Sequence, residues 1–206
     1  MTDVTAPTVS TVREVTAATD DAMRALGRDL AALTRPGDLL ILSGPLGAGK
    51  TTLTQGLGAG LGVRGSVTSP TFIISRVHPS LVGGPALVHV DAYRLGGPDE
   101  IDDIDLDMTL PDSVTVVEWG EGVAEELSED RLEIRIERHR DDTRTVHLRA
   151  VGARWTQADL PHGTPSGPPP VQDGPPGAAP ADGSRPGDDS PADAPNDLPG
   201  SDAGRG

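Results

Sequence analysis

Eight consecutive residues constrain this chain more than any others. Gly44-Pro45-Leu46-Gly47-Ala48-Gly49-Lys50-Thr51 satisfies G-x-x-x-x-G-K-[ST] at every fixed position. The run before it, Asp38–Ser43, is continuously apolar at Leu39-Leu40-Ile41-Leu42, the pattern of a strand buried on both faces. The stretch after it, from Lys50 to about Leu61, reads as a helix. Strand, loop and helix in that order are the context in which this motif cradles phosphates. The glycines let successive backbone N–H groups turn inward, and the following helix adds its positive end. Lys50 would reach the β- and γ-phosphates and Thr51 would ligate Mg²⁺, so a nucleotide and Mg²⁺ are the expected ligands. Lys50 is also the single lysine among 17 basic residues. A chain that uses arginine elsewhere keeps the compact ammonium at the one position that needs it.

The remaining pattern alternates strands with helices. Val9–Val15 is β-branched enough for a strand. Thr19 and Asp20 offer helix N-caps, and Met23, Leu26, Leu30 and Leu33 recur at helical spacing until Pro36-Gly37. Further strands are expected at Thr71–Val77, Ala86–Val90, Val114–Val117, Leu132–Glu137 and Thr145–Ala150. The last two alternate apolar and polar residues, which predicts an antiparallel edge with one wet face. Asp99–Asp107 and Gly122–Leu127 are expected to be short helices. The fold class is therefore α/β: a P-loop NTPase-like three-layer sandwich with a mixed central sheet.

Composition divides the chain and narrows its partners. Residues 161–206 hold 12 Pro and 9 Gly without a repeat, too little apolar material to offset ordering entropy. The predicted organisation is a flexible N-terminus over 1–8, an ATPase domain over 9–157 and a disordered Pro/Gly/Asp-rich tail over 158–206. Net charge is −15 over the chain and −5 over residues 161–206, where two arginines face seven aspartates. Such acidity argues against independent binding to DNA or tRNA and against a polybasic membrane anchor. With no cysteine there is no disulfide, thiolate metal site or cysteine nucleophile. No apolar run is long enough to span a bilayer and no secretory pattern opens the chain, so a cytoplasmic location is expected.

Two carboxylates could complete the metal side of the site. Asp91 ends Leu87-Val88-His89-Val90, and Glu118 ends Val114-Thr115-Val116-Val117. A carboxylate there can also be the polar start of a loop; beside a Walker loop, at least one is expected on the metal. His78, His89, His139 and His147 lack metal-ligand spacing. His89, on an apolar strand, reads as a hydrogen-bonded structural histidine rather than a catalytic one. Three of the four aromatic residues, Phe72, Tyr93 and Trp119, fall inside or beside these polar motifs, which favours a role there over core packing.

The Walker loop with Thr52, then Thr68-Ser69-Pro70-Thr71-Phe72, then His89-Val90-Asp91-Ala92-Tyr93-Arg94-Leu95, then Glu118-Trp119, resembles the TsaE family. These are small bacterial ATPases required for the threonylcarbamoyl modification of tRNA adenosine beside the anticodon. The resemblance runs from about Val9 to Val151. It implies that Thr51 and Glu118 hold Mg²⁺ and that Asp91 acts near the γ-phosphate. It makes Lys50, Asp91 and Glu118 the catalytic set. It further implies a switch-like loop at Ser69-Pro70-Thr71 and nucleobase contacts near Thr19-Asp20. Its implied partners are TsaD and TsaB, with tRNA reached only through that complex. Two departures concern loop geometry: Pro45 stands where many relatives have Asp, and Gly120 where many have Pro.

Rival functions fit less well. A small-molecule kinase would need an arginine-bearing lid, and no lid-length insertion follows Arg64, Arg76 or Arg94. A GTPase that reads guanine with Asn-Lys-x-Asp is excluded, because the single lysine lies in the P-loop. A non-enzymatic module sits poorly with an intact Lys50-Thr51. No arginine finger is evident, so hydrolysis by the chain alone is expected to be slow until a partner supplies one.

Overall fold

The computed structural model describes residues 9–70, 75–94 and 106–165. Seven strands form one mixed sheet in the order β1-β7-β6-β2-β5-β4-β3. They are β1 (Val9–Ala17), β2 (Leu39–Ser43), β3 (Ser75–His78), β4 (Ala86–Asp91), β5 (Ser113–Glu118), β6 (Arg131–Arg138) and β7 (Arg144–Val151). Strands β6, β2, β5 and β4 run parallel, while β3 and β7 are antiparallel to their neighbours. Parallel strands β2 and β5 are buried almost throughout, as their unbroken apolar runs require.

Helices α1 (Asp20–Ala31) and α2 (Lys50–Leu61) lie together on one face. Their approach is close because glycine meets backbone at the crossing. A Cβ on Gly27 would lie 2.3 Å from the Leu53 carbonyl oxygen, and one on Gly56 would lie 2.2 Å from that of Arg24. The core between helices and sheet includes Leu26, Leu30, Leu53 and Leu57 with Leu40, Val116, Ile134 and Leu148. On the opposite face a smaller cluster covers β2, β5 and β4, including Ile41, Val88, Val117, Leu106 and Ala124. Leu106 belongs to the one-turn helix α3 (Leu106–Thr109). The three layers are thus complete over β2, β5 and β4. Over β6 and β7 that second face presents Arg135, Glu137 and Arg149, whose side chains are 45–65% exposed.

The structure corrects several expectations. Alternation in β6 and β7 does mark a wet face, but neither strand is an edge: β6 lies between β2 and β7, and β7 between β6 and β1. Alternation reports one uncovered face of the sheet and carries no information on lateral pairing. The strand expected over Thr71–Val77 is β3, Ser75–His78, with 71–74 outside the described residues. Residues 95–105, including most of the helix expected at Asp99–Asp107, are also outside them. Of Gly122–Leu127 only Glu125–Leu127 is helical, as a single 3-10 turn.

The boundary expected at residue 157 also moves. After α4 (Gly152–Thr156), Leu160 is buried in the main core. The Thr16 N–H donates to the Gly163 carbonyl at 2.8 Å, and the Gly163 N–H donates to that of Glu14 at 3.1 Å. The chain therefore extends the sheet past β1 at Gly163. Residues 1–8 and the Pro/Gly/Asp-rich segment from 166 onward lie outside the described residues.

Candidate phosphate-binding site

The described parts of the polar motifs converge at one end of the sheet, beyond the carboxyl ends of the parallel strands, where ligands of open α/β sheets bind. The loop after β2 turns tightly. Gly44 has φ 139°, and a Cβ there would lie 2.4 Å from the Ile136 carbonyl oxygen. Gly49, at φ 108°, is the N-cap of α2 and points the helix start into the site. Lys50 follows, with Thr51 in the first turn. Ala48 is fully buried, and its N–H donates to the Pro45 carbonyl at 3.1 Å.

Register places the carboxylates. Asp91 and Glu118 are paired neighbours at the ends of β4 and β5, and Glu118 also pairs with Leu42 of β2. Both carboxylates are buried, at 8% and 3% exposure. The Thr51 hydroxyl donates to Glu118 Oε2 at 3.1 Å. Asp91 accepts from the Ser69 hydroxyl at 3.1 Å and from the Tyr93 N–H at 3.2 Å. The Ser69 loop is thereby tied to Asp91, while Thr71 and Phe72 lie outside the described residues.

Lys50 Nζ donates to the carbonyls of Gly44 at 2.8 Å and Pro45 at 3.1 Å. It also lies 3.6 Å from the centre of the Trp119 ring, a cation–π arrangement. Burial lowers the Lys50 pKa from its usual 10.5, and the nearby Glu118 and Asp91 charges oppose that shift. Trp119 adopts φ 62°, a left-handed conformation that costs a non-glycine residue about 1–2 kcal/mol. Its N–H bonds the Leu42 carbonyl at 2.8 Å, and its ring meets Tyr93 at 5.1 Å. The backbone strain thus falls where the indole covers the lysine.

Asp20, Leu46, Gly47, Gly49, Lys50, Thr51, Thr52, Asp91 and Glu118 line one crevice of about 690 Å³. Thr19, Gly44, Pro45 and Ala48 do not line it. Thr19 instead caps α1, its hydroxyl accepting from the Ala22 N–H at 3.1 Å. The same crevice is lined by residues that the sequence had not singled out for it, Arg138 and Arg144. These two pair across the β6–β7 hairpin. Arg138 donates to the Gly47 carbonyl at 3.4 Å and is paired with Asp142; Arg144 is paired with Asp20 at 2.7 Å. Among the described residues, two arginines thus stand beside the phosphate loop, each already answered by a carboxylate. Nothing in the sequence separates them from the other arginines.

The departure at Gly120 has a local reason. A Cβ there would lie 2.8 Å from Val117 Cγ1, so this turn follows a path that suits glycine. Among the described residues no three His, Cys, Asp or Glu side chains cluster to bind a metal. A magnesium ion shared with a phosphate chain asks for less: one or two protein oxygens, the rest from phosphate and water. The Thr51 hydroxyl and Glu118 carboxylate are oxygen donors of that kind. Among the described residues no helix is long and apolar enough to cross a membrane.

Known proteins of one family are similar to this chain. The family model "Threonylcarbamoyl adenosine biosynthesis protein TsaE" matches residues 17–146. A Streptomyces coelicolor protein named tRNA threonylcarbamoyladenosine biosynthesis protein TsaE is 66% identical over 143 residues, covering 67% of this chain and 97% of its own. Its Bacillus subtilis namesake is 42% identical over 133 residues, covering 64% and 82%. The crystal structure of Bacillus subtilis YdiB superposes with TM-score 0.58 at 35% identity, covering 72% of this chain and 90% of that one.

Proposed function

The chain belongs to the TsaE family of threonylcarbamoyl adenosine biosynthesis proteins, and on that premise we propose that it binds and hydrolyses ATP to serve that modification of tRNA. The observation that carries the reading is the Thr51–Glu118 hydrogen bond of 3.1 Å, spanning 67 residues of sequence. It joins the Walker hydroxyl to the strand-end carboxylate, the pair that would hold Mg²⁺ in a P-loop hydrolase. Bound there, the ion would offset charge on the phosphate chain. Lys50 would exchange its two carbonyl partners for phosphate oxygens, keeping its Trp119 contact. The backbone N–H groups of Gly47 and of Gly49 to Thr52, which line the crevice, would hold the phosphates. Asp91, held by Ser69, is placed to orient a water or to sense loss of the γ-phosphate. Asp20, which lines the crevice at the start of α1, would face the nucleobase, with Thr19 capping the helix beside it.

TsaD- and TsaB-like proteins are the proposed partners, with tRNA engaged through them in the cytoplasm. The acidity of the chain supports that division, because it offers little cation for counterion release from RNA. The activity is assigned to residues 9–165. The deciding experiment incubates purified protein with ATP and Mg²⁺, alone and with cognate TsaD, TsaB and tRNA. Slow release of ADP and phosphate alone, with repeated rounds of tRNA modification in the mixture, is expected. Transfer of phosphate to a small acceptor, or tight tRNA binding by the isolated chain, would replace this reading with a kinase or a nucleic-acid ATPase.

A further inference from the structure

Glu118 is gripped from behind as well as from the front. On β4, Leu87, His89 and Asp91 alternate onto the same side of the sheet, and Leu87 belongs to the core with Leu53 and Leu57 of α2. His89 therefore fills a core position beneath that helix and is fully buried. Its Nε2 lies 2.9 Å from Glu118 Oε1, while Glu118 Oε2 accepts from Thr51. An ionised carboxylate can only accept, so Nε2 carries the proton. His89 Nδ1 makes no hydrogen bond with the described residues. A histidine retained for stability alone would be poorly chosen here. An imidazole with one nitrogen unmatched costs more to bury than a leucine of similar size. What the imidazole supplies is a fixed donor to one oxygen of Glu118, which leaves the other aimed at Thr51.

We propose that His89 is a positioning residue, which holds the Glu118 carboxylate in the rotamer that serves the metal side of the site. The inference rests on the reading of Glu118 as a magnesium-side carboxylate. Groups that orient a metal ligand from behind typically change metal affinity by about 10–100-fold when removed.

The test uses reach rather than charge. In His89→Gln the side-chain amide extends about as far as Nε2, whereas in His89→Asn it stops near Nδ1. Neither amide titrates, and both are polar. The measurement is the affinity for a fluorescent ADP analogue, titrated with Mg²⁺ and, separately, in EDTA. The expected result for His89→Asn is an apparent Mg²⁺ affinity lowered at least about tenfold, with binding in EDTA within about twofold of wild type. The expected result for His89→Gln is Mg²⁺ affinity within about threefold of wild type. Equal Mg²⁺ affinities in the two variants overturn the proposal. So does a parallel fall of melting temperature and of binding in EDTA, which is what a merely structural histidine predicts. If His89→Asn does not fold, a folded His89→Gln with Mg²⁺ affinity lowered about tenfold still overturns it. Wild-type protein whose nucleotide affinity ignores Mg²⁺, or an indifferent Glu118→Gln, instead removes the underlying reading of Glu118.

Discussion

The sheet has two halves that treat charge in opposite ways. Strands β2, β5 and β4 are covered on both faces, and the charged groups at their ends, with Lys50 beside them, are at most 8% exposed. Strands β6, β7 and β1 are covered on one face, where Arg144, 8% exposed, is paired with Asp20, and most of their charges stand on the other. There Glu133 pairs with Arg131 and Arg149 at 3.0 Å each, and His147 lies between Glu14 and Glu137. Water solvates the second set, so its pairs cost little and stabilise little. The first set is expensive to bury and persists only with partners: Thr51 and His89 for Glu118, Ser69 for Asp91, two carbonyls for Lys50. The contrast separates charge that the fold tolerates from charge that it must be built around.

Substitutions can break that comparison, and the largest effect is expected at Lys50. Lys50→Ala should lower ATP affinity by about a thousandfold, as two charge-assisted bonds at about 1.5–3 kcal/mol each disappear. Lys50→Arg should also bind poorly, since a planar fork does not fit a point-charge position. Titration calorimetry checks both, and wild-type affinity in either variant would remove the phosphate-loop assignment.

Gly56→Val comes next and tests the helix crossing that brings α1 beside the phosphate loop. Its new Cβ would meet the Arg24 carbonyl, so a loss of about 3 kcal/mol is expected in urea unfolding. An unchanged midpoint would show that the crossing can open. Glu118→Gln should follow, at about 2 kcal/mol, or 10–100-fold in hydrolysis, with nucleotide binding spared more than turnover. Unchanged turnover within the reconstituted complex would pass this role to Asp91.

Smaller effects should sharpen the contrast. His78 is buried, its Nε2 has no hydrogen-bond partner among the described residues, and burial lowers its pKa below the usual 6.5. The folded state resists its protonation. Stability should therefore be full above pH 6.5 and fall as pH drops from there towards the folded pKa. His78→Leu should reduce the difference between unfolding midpoints measured at pH 7.5 and at acid pH, and an equal difference would exonerate His78. On the wet face Arg149→Ala should cost no more than about 0.5–1 kcal/mol, less at high salt. A loss as large as that at Gly56 would mean that this face is not merely solvated.

The aromatic residues show how far composition could reach. With four in the chain, the sequence associated three with the polar motifs and left Trp155 aside. Trp155 is fully buried, on α4, while Tyr93 is 68% exposed at the crevice and its ring packs beside Trp119. Phe72 lies outside the described residues.

What the sequence determined by itself was local. Periodicity located α1, an unbroken apolar run located β2 and the phosphate motif located α2, because each signal lies within a few residues of sequence. The phosphate loop was legible because its glycines and Lys50 act through their own backbone and their place at a helix start. The tertiary structure decided whatever joins distant residues. Glu118 reaches Thr51 across 67 positions and His89 across 29; Arg138 reaches Gly47 across 91. His89 read as structural because its strand is apolar, and only the pairing of β4 with β5 puts Glu118 against its Nε2. Arg138 and Arg144 are two arginines among sixteen until the hairpin brings them over the loop. The wet face of β6 and β7 was visible in their alternation; their interior place in the sheet was not. Alternation records which side chains meet water, whereas lateral pairing is made by backbone groups that every residue except proline carries alike.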